Sequence, residues 1–289
     1  MKKLAGIGKM SLFASAFLWG FGFVAVDGAL SSGWNPMLLL GVRGLIGGIF
    51  LHMFAFRRRY YLNRRMLKDG WLAGLYLTLA FAFQTYGQAL SGASNAAFIT
   101  ALYVIFTPII LSVRNRKMMP KLVMFAAFVS MVGVGLISIQ GDFRWQIGDV
   151  YLVLGAWMFA VHILQLEKLA HYDDALSITT IQLFTMGVVS MAFALVMNVS
   201  VPSSGYGYVV YCGLISSGIA FFLQTFGQKH VPSSTASIIM TFEAIFGVIG
   251  AMVFLHEVLS SRMLLGGLLL IGSVLVIELK PVPILLKKT

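Results

Sequence analysis

The sequence predicts an all-α integral membrane protein in which ten transmembrane helices form two inverted five-helix repeats. Composition, the spacing of apolar segments and an internal repeat all indicate this class. Of the 289 residues, 59% are hydrophobic and 11% are charged, and the mean hydropathy is +0.89. An ordinary soluble domain carries about 25% charged residues, and one soluble core cannot bury this much apolar side chain. Soluble enzymes and disordered chains are therefore excluded.

Charge and cysteine content narrow the choice of partners. The formal net charge is +11, but the basic residues occur in short runs between long apolar blocks. This pattern is typical of membrane orientation, so we expect a lipid bilayer and no nucleic acid as partners. The single Cys212 can form neither an intrachain disulfide nor a cysteine-based metal site. We expect no metal and no cofactor.

Ten apolar segments are long enough to cross a bilayer core, which requires about 20 apolar residues per helix. The first runs to about Leu30, longer than the apolar region of a signal peptide, so it is interpreted as a span. Short connections predict helical hairpins at 35–36, 91–92 and 231–232. The predicted spans are 10–31, 36–56, 70–90, 95–113, 121–140, 148–167, 176–198, 206–228, 233–255 and 262–279.

The distribution of Lys and Arg predicts the orientation of these spans. Of the 21 basic residues, Arg144 and Arg262 fall in loops on one side and Arg43 lies inside the second span. All the others fall on the side of the two termini, which the positive-inside rule assigns to the cytoplasm. We therefore expect a multi-pass protein of the plasma (cytoplasmic) membrane with both termini cytoplasmic.

An internal repeat relates the two halves of the chain. At an offset of 140 residues, 81–106 align with 221–246 without a gap, and ten of 26 positions are identical. The predicted repeats are 10–140, with helices 1–5, and 148–279, with helices 6–10. Because five is odd, the second repeat enters the membrane from the opposite side. Inverted repeats of this kind recur in secondary transporters, where they expose one central site to each side in turn.

Six segments carry a resemblance to a known family across nearly the full chain. They are Gln224 to Gln228, Val231 to Ser237, Thr241 to Glu243 and Leu255 to Ser260 in the second half, with Ser94 to Phe98 and Tyr103 to Pro108 in the first. In their order and spacing they resemble the EamA family of the drug/metabolite transporter superfamily. The resemblance implies a ten-helix fold in which helices 1, 3, 4, 6, 8 and 9 surround a central cavity. It also implies export or uptake of small metabolites.

Charged residues inside the spans are candidate functional groups, because an ionised side chain at mid-span costs about 2.5–3.5 kcal/mol on insertion scales. Glu243 lies near the middle of the ninth span, Arg43 within the second and Asp27 toward the outer end of the first. Glu243 is the leading candidate, either for substrate contact or for proton uptake and release as the cavity dries and wets. The alternatives are a neutral, hydrogen-bonded Glu243 and a static pair with Arg43. For Asp27 we expect a solvated or capping role.

Two pairs of glutamines occupy equivalent positions in the repeat. Gln84 and Gln88 lie four residues apart on one helix face, and Gln224 and Gln228 repeat this arrangement in the other half. Their amides can bind zwitterionic or hydroxylated solutes. Alternatively they hold helices together, at about 0.6–2 kcal/mol per hydrogen bond.

Aromatic and polar stripes on the first and sixth helices form a second candidate lining. Trp19 and Phe23 share one stripe, and Trp157 and Gln165 occupy the corresponding stripe when Trp19 is aligned with Trp157 at an offset of 138. These residues either line a cavity or simply pack the helices.

Three further residues complete the candidate substrate or proton pathway. His162 is a side chain of the type that exchanges protons near neutral pH, and it is either a relay or a satisfied interior histidine. Tyr103 aligns with Glu243 in the repeat. Asn95 opens the fourth helix and is either a pathway residue or a helix cap.

These features predict a secondary active transporter that exports or exchanges small polar metabolites, such as amino acids or related amines, by alternating access. No Gly-x4-Gly-Lys phosphate loop occurs, so ATP hydrolysis is not expected. An integral-membrane enzyme acting on lipid-linked substrates and a lipid flippase are the alternatives. The enzyme would need clustered carboxylates or histidines at a membrane face, and we expect no enzyme. The expected partners are a small-molecule substrate and, as the candidate coupling ion, protons; no oligomeric state is assigned.

Overall fold

A computed structural model describes residues 2–55, 64–138, 146–247, 249 and 260–279. The regular secondary structure of these residues is helical, with no strand among them. The helices of the first half are α1 (Lys2–Gly20), α2 (Gly22–Ser31), α3 (Pro36–Ala55), α4 (Arg64–Thr100), α5 (Tyr103–Asn115) and α6 (Lys121–Ser138). Those of the second half are α7 (Ile147–Leu169), α8 (Ala175–Val196), α9 (Tyr206–Tyr211), the π-helix π1 (Cys212–Ile219), α10 (Ala220–Gln228), α11 (Ser233–Met240) and α12 (Ser261–Leu279).

The apolar helices confirm the predicted all-α membrane fold. Within the described residues, six stretches are long and apolar enough to cross a membrane: Lys3–Ser31, Pro36–Phe54, Asn95–Asn115, Ile147–Leu169, Ala175–Val196 and Tyr206–Gln228. Lys121–Ile137 and Ser261–Val276 are shorter apolar helices. Of the two other predicted spans, 70–90 lies within α4, and 233–255 is described only as far as 247 and at 249. Arg144 and the segment 255–259 lie outside the described residues.

The predicted hairpin at 91–92 is a sharp break inside α4. Gly92 has φ 82° and ψ 168°, a left-handed backbone that favours glycine because it has no Cβ. The helix resumes directly after this residue, so the third and fourth predicted spans are joined without a loop. A Cβ at Gly92 would meet nothing within 4 Å, so the turn borders open space.

Equivalent helices of the two halves pack antiparallel. In the pair α3 and α8, Gly41 packs against the Met191 backbone and Gly48 packs against the Phe184 ring. The partner number falls as the number along α3 rises, so the two helices run in opposite directions. The second half is therefore inverted relative to the first, as the odd number of spans predicts.

Helices α6 and α12 repeat the same antiparallel relation at the edge of the bundle. Ser130 Oγ donates to Ser273 Oγ at 2.7 Å. Gly133 packs against the carbonyl oxygen of Gly266. These glycines bring the two backbones close together, which is how small residues stabilise helix pairs in membranes.

Contacts between the halves also occur in symmetric pairs. Gly8 of α1 packs against the carbonyl oxygen of Gly227 in α10, and Gly148 of α7 packs against that of Gly87 in α4. Each residue in the second contact lies 140 positions from its counterpart in the first. A two-fold relation between the halves produces this pattern.

Candidate functional site

A central cavity lies between the two halves. Helices α1, α2, α3, α4, α5, α7, π1, α10 and α11 all contribute to its wall. Its polar lining consists of Arg43, Gln84, Gln88, Thr100, Tyr103, Ser216, Gln224 and Glu243. Its aromatic lining also includes Trp19, Phe23, Phe81, Phe159 and Phe221, and its small or aliphatic residues are Gly22, Val26, Ile163 and Met240.

Most of the cavity wall is built from residues that are equivalent in the repeat. At an offset of 140 residues, six pairs each contribute both members: Trp19 with Phe159, Phe23 with Ile163, Phe81 with Phe221, Gln84 with Gln224, Thr100 with Met240, and Tyr103 with Glu243. The cavity therefore lies on the pseudo-two-fold axis that relates the two halves. A solute bound there contacts both halves at once.

Glu243 and Tyr103 meet each other although they are equivalent residues of opposite halves. Tyr103 Oη donates to Glu243 Oε1 at 3.3 Å. Tyr103 begins α5, and Glu243 begins the helical stretch 243–247 after a turn at 241–242. Glu243 is 8% exposed, so its carboxyl lies in the interior, and it forms part of the cavity wall. Two equivalent positions can touch only where they lie on or beside the two-fold axis.

Arg43 supplies a positive charge on another wall of the same cavity. Its Nε donates to Ser217 Oγ at 2.8 Å and its Nη2 donates to Ser216 Oγ at 3.1 Å. The guanidinium lies over the Phe81 ring, 4.4 Å from the centroid, in cation–π geometry. The side chain is 1% exposed. Because a guanidinium has five N–H donors, donors remain beyond the two that bind serine.

The two serines that hold Arg43 belong to π1. A π-turn contains more residues than an α-turn, and such turns are frequent at functional sites. Ser216 and Ser217 are adjacent in sequence, yet both hydroxyls reach the same guanidinium. Arg43 and Glu243 form no ion pair within 4.0 Å, although both are described residues. The static pair between them is therefore not formed, and the cavity keeps two separate ionisable groups.

Three of the four predicted glutamines line the cavity. Gln84 Nε2 donates to Thr100 Oγ1 at 3.2 Å, and Gln88 Nε2 donates to the Phe23 carbonyl at 3.0 Å. Gln224 is buried, and its Oε1 has no hydrogen-bond partner in the described structure. Gln228 lies outside the cavity and donates to the Ile163 carbonyl at 3.1 Å. Since Phe23 and Ile163 are equivalent, Gln88 and Gln228 make the same bond in the two halves.

The remaining predicted residues lie away from the cavity. Trp157 is 45% exposed and packs against Phe106, with a ring-centroid distance of 5.5 Å. Gln165 is buried elsewhere on α7. Asn95 Nδ2 donates to Asp149 Oδ1 at 3.4 Å. The cavity wall includes none of these three.

His162 is fully buried behind the cavity wall. Its Nε2 lies 2.6 Å from Gln182 Oε1, and its Nδ1 has no partner in the described structure. The hydrogen bond joins α7 to α8 within the second half. One ring nitrogen of this interior histidine is thus satisfied, and the other is buried without a partner among the described residues.

Sequence reasoning missed several members of the wall, above all Phe159. The offset of 138 that pairs the tryptophans is two residues away from the register of the cavity, in which Trp19 corresponds to Phe159. A shift of two residues turns a helix by about 200°, to its other side. The offset of 140 between 81–106 and 221–246, extended to the first helix, would have identified Phe159 and Ile163. No comparable signal points to Ser216.

The long apolar helices and the cavity between antiparallel halves define a multi-pass membrane protein with an internal compartment. Comparison with known families makes this class specific. Residues 6–139 and 146–279 each match the EamA-like transporter family. The chain belongs to that family.

Individual relatives agree with this assignment. An uncharacterized transporter of Archaeoglobus fulgidus is 27% identical over 275 residues, covering 94% of this chain and 85% of the relative. The uncharacterized transporter YoaV of Bacillus subtilis is 21% identical over 276 residues, covering 90% and 93%. A WAT1-related protein of Arabidopsis thaliana is 25% identical over 142 residues, covering 45% of this chain and 38% of the relative.

A solved crystal structure has the same fold. It superposes with a TM-score of 0.79 at 16% identity and covers 94% of this chain and 96% of its own. Family and fold thus agree with the predicted class: a membrane transporter that takes a small-molecule substrate and resides in a lipid bilayer. Membership of a transporter family is also consistent with a protein that is not an enzyme.

Proposed function

We propose that this protein is a secondary active transporter that exports or exchanges small polar metabolites, such as amino acids or related amines, by alternating access. The observation that carries the proposal is the pair Tyr103–Glu243, which joins the two inverted halves inside a central cavity. A site built from equivalent residues of both halves is retained when the halves exchange conformations. Such a site can be exposed to either side without being rebuilt.

The charges of the cavity favour a substrate with an amine. Glu243 offers a carboxylate oxygen to an ammonium group, while Arg43 offers guanidinium donors to an anionic or carbonyl oxygen. Phe81, Phe159 and Phe221 provide an apolar surface between the polar groups. An amino acid presents an ammonium, a carboxylate and an apolar side chain, so it complements all three parts of the wall.

Proton coupling through Glu243 follows from its environment. A buried carboxyl with one neutral hydroxyl partner can carry a proton or bind a cationic substrate, but it cannot readily do both at once. Exchange of a proton for an ammonium group at Glu243 would therefore link the movement of the two. Protons are accordingly the proposed coupling ion.

We also propose that the protein lies in the plasma membrane with both termini in the cytoplasm. Lys9, Arg114, Lys168 and Lys229 fall at the end of the bundle where α1 begins, as the positive-inside rule requires of a cytoplasmic face. In the described residues the other end carries Arg262, at the start of α12.

Solute counterflow with purified protein in sealed liposomes tests the proposal. Wild-type protein should exchange a labelled amino acid for an unlabelled one without chemical change and should accumulate it when a pH gradient is imposed. Glu243→Gln should abolish the pH-driven accumulation. The matched control is Asp69→Asn, because Asp69 accepts from Tyr172 Oη at 2.9 Å outside the cavity and should not affect coupling.

Three results would reject parts of this proposal. Full accumulation by Glu243→Gln would exclude Glu243 as the coupling group. Covalent conversion of a lipid-linked substrate would indicate the membrane enzyme, and movement of labelled lipid without solute exchange would indicate the flippase.

A further inference from the structure

The two ends of the bundle are closed to different degrees. We call the end that carries Arg114, Lys168 and Lys229 the basic face, and the end that carries Ser32 and Asn198 the opposite face. Because the halves are inverted, a residue near one face has its equivalent, 140 positions along the chain, near the other. Equivalent residues therefore report directly on how the two ends differ.

The cavity extends toward the opposite face and stops short of the basic face. Val26 and Gln88 line the cavity on the side of the opposite face. Their equivalents, Leu166 and Gln228, do not line the cavity. Leu166 instead packs in an apolar cluster with Met66, Ala73, Leu169 and Ile178. Among the described residues, the cavity thus ends before the basic face, where this apolar cluster packs the bundle closed.

Glu167 is one of the groups that hold the basic face together. Its Oε2 accepts from the Ser233 backbone nitrogen at 3.1 Å, and its Oε1 lies 3.9 Å from Arg114 Nη2. Ser233 is the first residue of α11, following Pro232, so the carboxylate lies at a helix N-terminus, where negative charge is stabilised. The hydrogen bond connects α7 to α11, and the ion pair connects α7 to α5 in the other half.

Asp27 is the equivalent of Glu167 and is exposed. It lies on α2 near the opposite face, and the equivalent of Ser233 is Ala93. Ala93 follows Gly92, the break in α4, as Ser233 follows Pro232, so both residues begin a helical segment. Gly92 borders open space, whereas its equivalent at the other end, Pro232, is partly covered. An acid and a helix start thus recur at each end, and among the described residues a hydrogen bond joins them only at the basic face.

We propose that Asp27 and Glu167 are alternating latches of the transport cycle. In the arrangement seen here, Glu167 accepts from Ser233 and keeps the basic face closed. In the reverse arrangement, Asp27 accepts a hydrogen bond from the Ala93 backbone nitrogen and closes the opposite face, while Glu167 releases Ser233. The inference rests on the alternating access of the proposed function, and it assigns the residues that stabilise each of the two states.

Cysteine accessibility tests the latches without a substrate. The single native thiol, Cys212, is buried and is replaced by alanine in the background protein. Ala93→Cys and Ser233→Cys then serve as reporters at equivalent points, and both keep the backbone amide that binds the latch. Membrane-impermeant maleimide is applied to sealed vesicles of both orientations. In the background protein, we expect Ala93→Cys to react faster from the opposite face than Ser233→Cys reacts from the basic face.

The two latch variants should shift the reporters in opposite directions. Glu167→Ala should raise the labelling rate of Ser233→Cys about fivefold, because alanine has no acceptor for the Ser233 amide and loss of one helix cap favours opening of the basic face by about that factor. Asp27→Ala should lower the same rate, since the reverse arrangement loses its own cap. Asp173→Ala is the control, because it removes an acid from the same face whose surface ion pair with Lys229 has a small effect. It should change the rate less than twofold.

Several results distinguish the latches from the wider proposal. Shifts of the same sign in both variants, or no shift with Asp27→Ala, would overturn the latch assignment even if solute counterflow is intact. Opposite shifts without counterflow of any amino acid would support the latches and reject the substrate class. Glu167→Gln keeps an amide oxygen that can accept from Ser233 and serves as the second variant. It should keep Ser233→Cys better protected than Glu167→Ala does if the hydrogen bond, rather than the packing, holds the face closed.

Discussion

Gln88 and Gln228 form a natural comparison at the scale of single residues. Each donates its side-chain amide to an equivalent backbone carbonyl, at 3.0 and 3.1 Å, but only Gln88 borders the cavity. The two hydrogen bonds should therefore contribute similarly to the free energy of unfolding. Of these two glutamines, only Gln88 should take part in substrate binding.

Alanine substitution at these two positions separates structure from binding. Gln88→Ala and Gln228→Ala should each lower the free energy of unfolding by about 1 kcal/mol, as expected for one lost membrane hydrogen bond. Gln88→Ala should in addition raise the apparent KM for the solute. The measurements are thermal unfolding in detergent and counterflow in liposomes. Equal effects of both variants on KM would contradict the assignment of Gln88 to the binding site.

The sequence predicts a functional residue most readily where placing its side chain in the membrane costs much free energy. Glu243 and Arg43 stand out because a charge within an apolar span needs a reason, and both lie in the cavity wall. Phe159 carries no such cost and is one of 23 phenylalanines, so only the correct register identifies it. Ser216 depends on the geometry of π1, which the sequence pattern does not indicate.

At the scale of helices, close packing of α3 on α8 holds the halves together. A Cβ at Gly44 would lie 2.6 Å from the Gly187 nitrogen and 2.8 Å from its Cα. Backbone atoms of a packed helix cannot move aside as a flexible side chain can. The crossing therefore requires glycine at this point.

Gly44→Ala should destabilise the protein by about 1–3 kcal/mol, because the added methyl group forces the two backbones apart. Gly267→Ala is the matched control on α12, since a Cβ there would meet nothing within 4 Å. This control should be neutral or slightly stabilising, as alanine favours helix over glycine. Thermal unfolding in detergent measures both. Equal stability of the two variants would show that the α3–α8 contact tolerates separation.

Helices were predictable from hydropathy, and so were the positions of the hairpins, but the form of the break in α4 was not. The apolar segments indicate the spans, because the bilayer sets a minimum length. The break in α4 is harder to predict: the sequence indicates a hairpin near Ser91 and Gly92, whereas the structure joins both helices through one residue in a left-handed conformation. The interruption of the first span at Phe21, between α1 and α2, has no Pro to mark it.

At the scale of the whole molecule, orientation is the property that remains to be measured. Cysteine introduced at Ser204, in the loop before α9, should react with an impermeant reagent from outside the cell, and cysteine at Arg59 should react only from the cytoplasm. Arg59 lies outside the described residues, so Lys117, between α5 and α6, provides a second cytoplasmic position. The expected pattern follows from the positive-inside rule, and the reverse pattern would refute it.

The inverted arrangement of the two halves was predictable from the odd number of spans in each repeat. Two repeats with an odd number of spans must face opposite ways, and the antiparallel contacts of α3 with α8 and of α6 with α12 agree with this. The number of spans does not predict how the two faces of the bundle differ. That difference lies in pairs such as Asp27 and Glu167, whose contacts depend on which end of the bundle is closed.

The pairing of Tyr103 with Glu243 also bears on how such a protein can arise from a duplicated gene. A homodimer of one ancestral repeat would place the same residue twice at this point. Two glutamates would repel each other when ionised, and two tyrosines would leave the position without a carboxylate. Fusion of the copies into one chain frees each to diverge, so that a single carboxylate can face a neutral donor. The covalent link between the halves thereby permits an asymmetric centre that no symmetric ancestor could have carried.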